Sequence, residues 1–168
     1  MSSFIQRLIV MIKFRKAKIE DSKIYFDWAN DTTVREQSYN SNAIVWENHN
    51  FWFSTKMNDT NCLMLVFQNE QNNNIGQVRI QKENEMHALI GLSVDSVHRG
   101  KGYAKEMLQA ASDFFLMENP HFCIDAYIKE QNLNSKFAFE KAGFRFLEMM
   151  IYEGYKSFHY IKRTNENR

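Results

Sequence analysis

The pattern of apolar and polar positions between residues 88 and 115 predicts a strand, a turn and a helix, in that order. Apolar residues alternate with others over residues 88–94, which is typical of a half-buried strand. From Ala104 to Phe115 the apolar residues recur at helical spacing and form a single stripe. Two glycines lie between these segments, at Gly100 and Gly102. We therefore expect a glycine-bearing turn that leads from the strand into an amphipathic helix.

The same periodicities predict the remaining elements. Helices are expected at residues 21–30, 45–58 and 132–142. An asparagine-rich connection is expected between the first two of these helices. Strands are expected at residues 11–16, 62–68, 75–81, 122–128, 144–151 and 158–163. This order predicts one α/β (α+β) domain with a mixed, mostly antiparallel central sheet flanked by about four helices.

The length of the chain and the composition of its ends predict the domain boundaries. The 168 residues fit one domain. We assign residues 11–163 to it, with residues 1–10 as an N-terminal extension and 164–168 as a frayed polar tail. Met1 and Met11 are both candidates for the native start.

Composition excludes several function classes. A content of 44% hydrophobic and 14% aromatic residues argues against disorder, and a net charge of +1 disfavours nucleic acids and membrane surfaces as partners. No apolar run reaches the roughly 20 residues of a membrane span, and the N-terminal segment lacks a cleavage signal. Cys62 and Cys123 show no metal-binding spacing. We expect a cytoplasmic protein with free thiols and no metal.

The turn has the chemistry of an anion site. The first N–H groups of a helix lack intrahelical acceptors, and the helix dipole adds partial positive charge there. Glycines let the main chain approach a phosphate closely, while Arg99, Lys101 and Lys105 add full charges. The spacing matches neither a P-loop nor the dinucleotide fingerprint.

Two motifs resemble the GCN5-related N-acetyltransferase (GNAT) family. The first is Gln/Arg-x-x-Gly-x-Gly/Ala, which Arg99, Gly102 and Ala104 fill five residues after Val94. The second is the segment 132–144, with its Asn-x-x-Ser start, Glu-Lys pair and Gly-Phe ending. With the two motifs at the family's distance from each other, the resemblance covers essentially the whole chain from residue 11. The resemblance implies the GNAT fold and the use of acetyl-CoA.

The resemblance also implies roles for individual residues. In the family a bulge separates the central strand from its neighbour, and the pantetheine arm lies in the gap. A backbone N–H near Val94 would polarise the thioester carbonyl while a neutral primary amine attacks directly. The backbone of Leu92, Ser93 and Val94 would contact the arm. The remaining implied cofactor-binding residues are Arg99, Gly100, Lys101, Gly102, Tyr103, Ala104, Lys105, Asn132, Ser135 and Phe139.

Proton transfer leaves alternatives open. Phe139 replaces the tyrosine with which the family often protonates the leaving thiolate, so Ser135 or a water would act, or no acid is needed. Asn132 and Ser135 also suit a helix N-terminus, as cap and first-turn residue. His49 is a candidate base, although its position on an apolar helix face equally suits a buried core histidine.

The N-terminal half resembles acetyltransferases that act on UDP-4-amino sugars, as in pseudaminic acid biosynthesis. Arg35 and Arg79 are the candidates for binding a diphosphate. Trp28 and Trp52 would stack on a uracil or sugar face, or else belong to the core. The alternatives are a ribosomal-protein N-terminal acetyltransferase and a non-catalytic CoA-binding sensor. We expect a small-molecule amine acceptor and a monomer or homodimer.

Overall fold

The computed structural model describes residues 11–164, so the expected N-terminal extension and all but the first residue of the expected tail lie outside the described residues. The seven strands are β1 (Ile12–Lys16), β2 (Cys62–Asn69), β3 (Asn74–Lys82), β4 (His87–Val94), β5 (Cys123–Lys129), β6 (Arg145–Tyr152) and β7 (Tyr155–Lys162). The five α-helices are α1 (Ser22–Ala29), α2 (Thr32–Gln37), α3 (Trp46–Met57), α4 (Tyr103–Glu118) and α5 (Leu133–Lys141). No described helix is long and apolar enough to cross a membrane.

The strands form one sheet in the order β1-β2-β3-β4-β5-β7-β6. Every neighbouring pair is antiparallel except β4 and β5, which are parallel because α4 carries the chain back across the sheet between them. The prediction of a mixed, mostly antiparallel α/β domain is therefore confirmed.

One helix was missed in the predicted set of about four. α2 lies inside the asparagine-rich segment that we expected to be a connection. The side chain of Asp31 accepts a hydrogen bond from the Val34 N–H (3.2 Å) and caps this helix. Its six residues contain a single apolar side chain, Val34, so no periodicity marks it.

Helices cover the two faces of the sheet unequally. The main core lies on one face, where α4 and α5 pack on alternate residues of the central strands, among them Ile90 and Ile128. A second cluster lies on the opposite face, where α1 and α3 cover Met64 and Val66 of β2. The β4–β5–β7 part of that opposite face lies largely beyond these two helices and carries polar residues such as His87, Asp125 and His159.

A buried carboxylate joins the three strands of this polar area. Asp125 on β5 contacts His87 Nδ1 on β4 at 2.6 Å and His159 Nε2 on β7 at 2.7 Å. Asp125 and His159 are both buried. Because both carboxylate oxygens have imidazole partners, the buried Asp125 is compensated by hydrogen bonds.

β4 and β5 separate after a short paired segment. Their pairing runs only from His87–Cys123 to Leu89–Asp125. The β3–β4 pairing, in contrast, continues from Lys82–Ala88 to Gly76–Val94 without a register shift. The expected separation is present, but the expected bulge is absent from the described β3–β4 ladder. The gap arises because β5 diverges from β4.

The candidate base His49 packs inside the second cluster. It is 3% exposed, its Nε2 lies 2.8 Å from the Ser22 carbonyl oxygen, and aromatic rings surround it. These rings belong to Phe26, Trp46, Trp52 and Phe53. Since a carbonyl oxygen only accepts, Nε2 donates. Burial lowers the pKa of His49, and the hydrogen bond to Ser22 offsets this only in part.

We predict that Gly76→Ala destabilises the fold, whereas Gly91→Ala does not. A Cβ at Gly76 would lie 2.8 Å from Met107 Cε and would overlap the Ser93 carbonyl oxygen, while one at Gly91 meets nothing within 4 Å. Overpacking of this kind costs about 1–3 kcal/mol. Urea unfolding of both variants measures the difference. Equal midpoints would contradict the packing at the end of β4.

We also predict that His49 makes stability depend on pH. Its folded-state pKa lies below the unfolded value, so the unfolded chain binds more protons and stability falls as the pH drops below about 6.5. The loss reaches at most about 1.4 kcal/mol per pH unit. Urea unfolding at pH 7.5 and 5.5 should show a smaller pH dependence for His49→Gln. His121→Gln, which changes an exposed histidine, serves as the control; the same dependence in all three proteins would contradict the assignment.

Candidate active site

A cavity of about 880 Å³ lies where β4 and β5 separate. Its walls are the second half of β4, the end of β5, the turn before α4, the start of α5 and the helix α2. We call the part formed by the turn and α5 the turn side. We call the part formed by α2, the following loop and the polar sheet residues the α2 side. The α2 side comprises Thr33, Val34, Gln37, Ser38, Tyr39, Arg79, Tyr127, Lys129 and Tyr152.

The turn takes the conformation that its glycines permit. Gly100 has a φ of +73° and Gly102 a φ of +81°, values that favour glycine. Gly102 is the N-cap residue of α4, and no side chain caps this helix within the described part. A Cβ at either glycine would meet nothing within 4 Å. The first-turn N–H groups of α4 are therefore available to an anion that approaches over the glycines.

The charged residues of the turn differ in their surroundings. Arg99 lines the cavity, but its Nη2 donates to Asp31 Oδ1 (2.6 Å) and its Nε to the Val94 carbonyl oxygen (3.2 Å). The guanidinium thus ties the start of α2 to the end of β4. Lys105 lines the cavity and pairs with Glu106 at 3.3 Å. Lys101 is not among the lining residues.

The residues of the second motif lie together on the turn side. Asn132 Oδ1 accepts a hydrogen bond from the Ser135 N–H (3.3 Å), which confirms the capping role. Both residues also line the cavity, so capping does not remove them from it. Phe139 lines the same wall, is buried, and meets the ring of Phe144 edge-on with 5.0 Å between centroids.

The cavity brings together only one of the four expected acceptor residues. Arg79 lines the α2 side, and its guanidinium lies 5.2 Å above the ring of Trp52. Trp52 therefore supports the wall from behind without being a lining residue. Trp28 is a core residue, 5% exposed, whose Nε1 donates to Asp95 Oδ1 (3.0 Å). His49, the candidate base, also lies outside the lining.

Arg35 has a structural role that the sequence did not reveal. It donates to the backbone carbonyl groups of Ala29 (2.6 Å), Asn40 (2.9 Å) and Asn42 (3.3 Å), and to Ser38 Oγ (3.0 Å). The guanidinium holds the C-terminal end of α1 and the loop after α2 in place. Because four of its five N–H donors are used within the chain, Arg35 is not available to bind a diphosphate with two parallel hydrogen bonds.

The α2 side contains residues that the sequence analysis did not single out. The rings of Tyr127 and Tyr152 stack with 3.8 Å between centroids. Tyr39 O–H donates to Ser157 Oγ (2.8 Å) and so joins the loop after α2 to β7. Burial raises the pKa of each of these three tyrosines. The alternation of Asp125, Tyr127 and Lys129 in β5 was the available signal, since it marks a polar strand face.

The charged side chains that line the cavity are positively charged. No aspartate or glutamate is found among its lining residues within the described chain, whereas Arg79, Arg99, Lys105, Lys129 and Lys141 all line it. Within the described residues, no hydrogen bond or ion pair involves the guanidinium of Arg79, whose contact is the ring of Trp52. The α2 side therefore presents positive charge to whatever binds there.

Comparison with known proteins identifies the family. The chain is similar in structure to the spermidine N-acetyltransferase from Vibrio cholerae in complex with CoA and spermine, with a TM-score of 0.79, 16% identity, and 89% of this chain and 93% of that chain covered. It is also similar to the aminoglycoside acetyltransferase AAC(6')-Ib in complex with coenzyme A, with a TM-score of 0.77, 14% identity, and 92% and 95% covered. None of the curated protein sequences compared with the chain matches it. A family model described as an acetyltransferase (GNAT) domain matches residues 12–145, so the chain belongs to the GNAT family and is an acetyl-CoA-dependent N-acetyltransferase.

Proposed function

We propose that the acceptor is a primary amine that also carries a phosphate group, and specifically the 4-amino group of a UDP-linked amino sugar. The observation that carries this proposal is the charge of the α2 side. Arg79 offers an unpaired guanidinium there, and no carboxylate lines the cavity within the described residues. A guanidinium binds a diphosphate by two parallel hydrogen bonds, which a lone ammonium does not provide.

The same charge argues against polycationic acceptors. Spermine and the aminoglycosides carry several ammonium groups at neutral pH. A site that takes such molecules out of water needs carboxylates to compensate the buried charge. The α2 side supplies cations and neutral groups instead, such as Arg79, Gln37 and Tyr39. This chain therefore shares a fold with enzymes for those amines while its acceptor chemistry differs.

Tyrosine hydroxyl groups on the α2 side suit a sugar or a base as hydrogen-bond partners. The rings of Tyr127 and Tyr152 stack on each other and His159 stacks on Tyr127, while both tyrosines border the cavity. Because burial raises their pKa, Tyr39, Tyr127 and Tyr152 stay neutral at neutral pH. The Tyr39 hydroxyl donates to Ser157 Oγ, so Tyr127 and Tyr152 are the tyrosines that can donate to a ligand.

The turn side fits acetyl-CoA. The uncapped start of α4, with open space above Gly100 and Gly102, is suited to the pyrophosphate, and Lys105 adds charge. When bound, acetyl-CoA supplies an acetyl group activated as a thioester. Beyond Leu89, β4 has no β5 partner within the described residues, so the backbone of Leu92 and the N–H of Val94 are open to the pantetheine arm, with Ser93 between them. The Val94 carbonyl oxygen accepts from Arg99 Nε. Asn132, Ser135 and Phe139 form the opposite wall.

In our proposal, carbonyl polarisation and the two proton transfers of the reaction involve different groups. The backbone N–H near Val94 polarises the carbonyl oxygen of the acetyl group. Ser135 lines the wall that also holds Phe139, and in our proposal its Oγ donates the proton to the leaving thiolate that a tyrosine often supplies in the family. The amine loses its proton to water in our proposal, because His49 lies outside the cavity lining.

We predict that the protein acetylates a UDP-4-amino sugar in preference to other amines. The panel is a UDP-4-amino sugar, spermidine, kanamycin and a ribosomal N-terminal peptide, each with acetyl-CoA and with product mass as the readout. We expect a kcat/KM for the sugar nucleotide on the order of 100-fold above the others, since a buried charge mismatch is strongly rejected. Arg79→Gln should lower it about 10- to 100-fold without changing the KM for acetyl-CoA. Faster turnover of spermidine or kanamycin would refute the charge argument.

We predict that Gly102→Glu abolishes acetyl-CoA binding, because it adds bulk and negative charge at the start of α4. Gly154→Glu is a matched control: its φ of +82° equals that of Gly102 within 1°, and neither position has a neighbour within 4 Å of a new Cβ. Both variants should therefore carry a similar backbone strain of about 1–3 kcal/mol. Calorimetric titration with acetyl-CoA measures the difference. Binding by Gly102→Glu at the affinity of Gly154→Glu would place the pyrophosphate elsewhere.

A further inference from the structure

We propose that Lys129 forms an anion-binding subsite on the α2 side of the cavity and that its ligand is a phosphate group of the acceptor. This inference rests on the proposed function for the identity of the acceptor, and it assigns the residue that recognises the acceptor's charge. Lys129 ends β5, on the opposite side of the gap from β4. Lys129 lies outside both of the sequence motifs that mark the family.

The ammonium of Lys129 is buried but only partly satisfied. The residue is 3% exposed, and Nζ donates one hydrogen bond, to the Glu36 carbonyl oxygen at 3.1 Å. The ring of Tyr155 lies 4.0 Å from Nζ and that of Tyr39 lies 5.8 Å away. An ammonium has three N–H donors. Two of them have no acceptor among the described residues, and no carboxylate there pairs with it.

The other buried lysine, Lys162, has an acceptor for each of its three N–H donors. Lys162 is 9% exposed, and its Nζ donates to Ser112 Oγ (2.8 Å), Asp113 Oδ1 (2.8 Å) and the Ala142 carbonyl oxygen (2.9 Å). Its three donors are thus used, one of them in an ion pair. Burying a charge without such partners is costly. Lys129 bears that cost in the unliganded protein, which indicates that an anion completes its coordination.

The groups around Lys129 hold its ammonium at the cavity without neutralising it. Glu36 lies in the last turn of α2, where the carbonyl groups lack intrahelical donors. The rings of Tyr39 and Tyr155 attract the cation through their faces. None of these contacts removes the positive charge, so it remains available to a ligand.

The position of Lys129 relative to Arg79 defines the kind of anion. Arg79 pairs with Gly91 in the β3–β4 ladder and so lies on the β4 side of the gap, whereas Lys129 lies on the β5 side. Both residues line the α2 side of the cavity. Two cations on either side of the gap suit an anion with more than one phosphate. A nucleoside diphosphate group is the chemical class that we infer.

The test is the binding of UDP to protein that is saturated with CoA, so that the turn side is already filled. Calorimetric titration should give a Kd that is about 10- to 100-fold weaker for Lys129→Met than for the parent, as expected for a lost charged hydrogen bond. Lys156→Gln is the control, because Lys156 is an exposed lysine on β7, next to the Ser157 that pairs with Lys129, and its ammonium pairs with Glu130 at 2.7 Å. It should bind UDP as the parent does.

The outcomes separate the subsite from the proposed function. No UDP binding by the parent, or equal binding by Lys129→Met, overturns the subsite even if the UDP-4-amino sugar is acetylated. Binding that depends on Lys129 supports the subsite even if that sugar is not a substrate. Should Lys129→Met fold poorly in thermal unfolding, Lys129→Gln replaces it as the neutral variant, and UDP binding by Lys129→Gln equal to that of the parent overturns the subsite. Lys129→Arg keeps the charge, and retained UDP binding in this variant beside a loss in the folded neutral variant supports a role for charge.

Discussion

The structure depends on the early end of the β4–β5 pairing. Three pairs of residues join these strands, and after Leu89 the backbone of β4 faces a gap on this side. Unpaired backbone groups in a protein interior are costly, so a gap of this kind persists only where water or a ligand fills it. The parallel direction of the two strands brings their carboxyl ends to the same edge. The turn after β4 and the helix after β5 therefore face each other across the gap, and the cavity forms between them.

Charge pairing inside the protein divides its cations into two groups. Arg35, Arg99 and Lys162 are tied to carbonyl or carboxylate oxygens of the chain and hold elements together. Arg79 and Lys129 lack carboxylate partners within the described residues, although both lie at the cavity. Position in the sequence does not separate these groups. The number of N–H donors used inside the protein does: Lys129 uses one of three and the Arg79 guanidinium none within the described residues, whereas all three donors of Lys162 are used.

Most of the fold could be predicted from the sequence, because local periodicity determines it. The β4–turn–α4 unit has a clean alternation, a helical stripe and two glycines whose positive φ the structure requires. α2 could not be found in this way, since one apolar residue gives no period and its cap depends on Asp31. Part of the site could not be predicted from the sequence either. Arg35 and Arg79 look alike in sequence, and only the tertiary structure shows that loop carbonyl groups occupy the first.

We infer that acceptor choice in this protein depends on electrostatics rather than on architecture. In our proposal the sheet, the gap and the turn serve acetyl-CoA, and the α2 side serves the acceptor. The α2 side is built by a short helix and by the polar faces of β3 and β5, whose side chains can change without disturbing the core on the other face of the sheet. A carboxylate in place of Arg79 or Lys129 would reverse the local field. Acceptor charge is therefore encoded in a few exchangeable positions, and the overall fold carries little information about it.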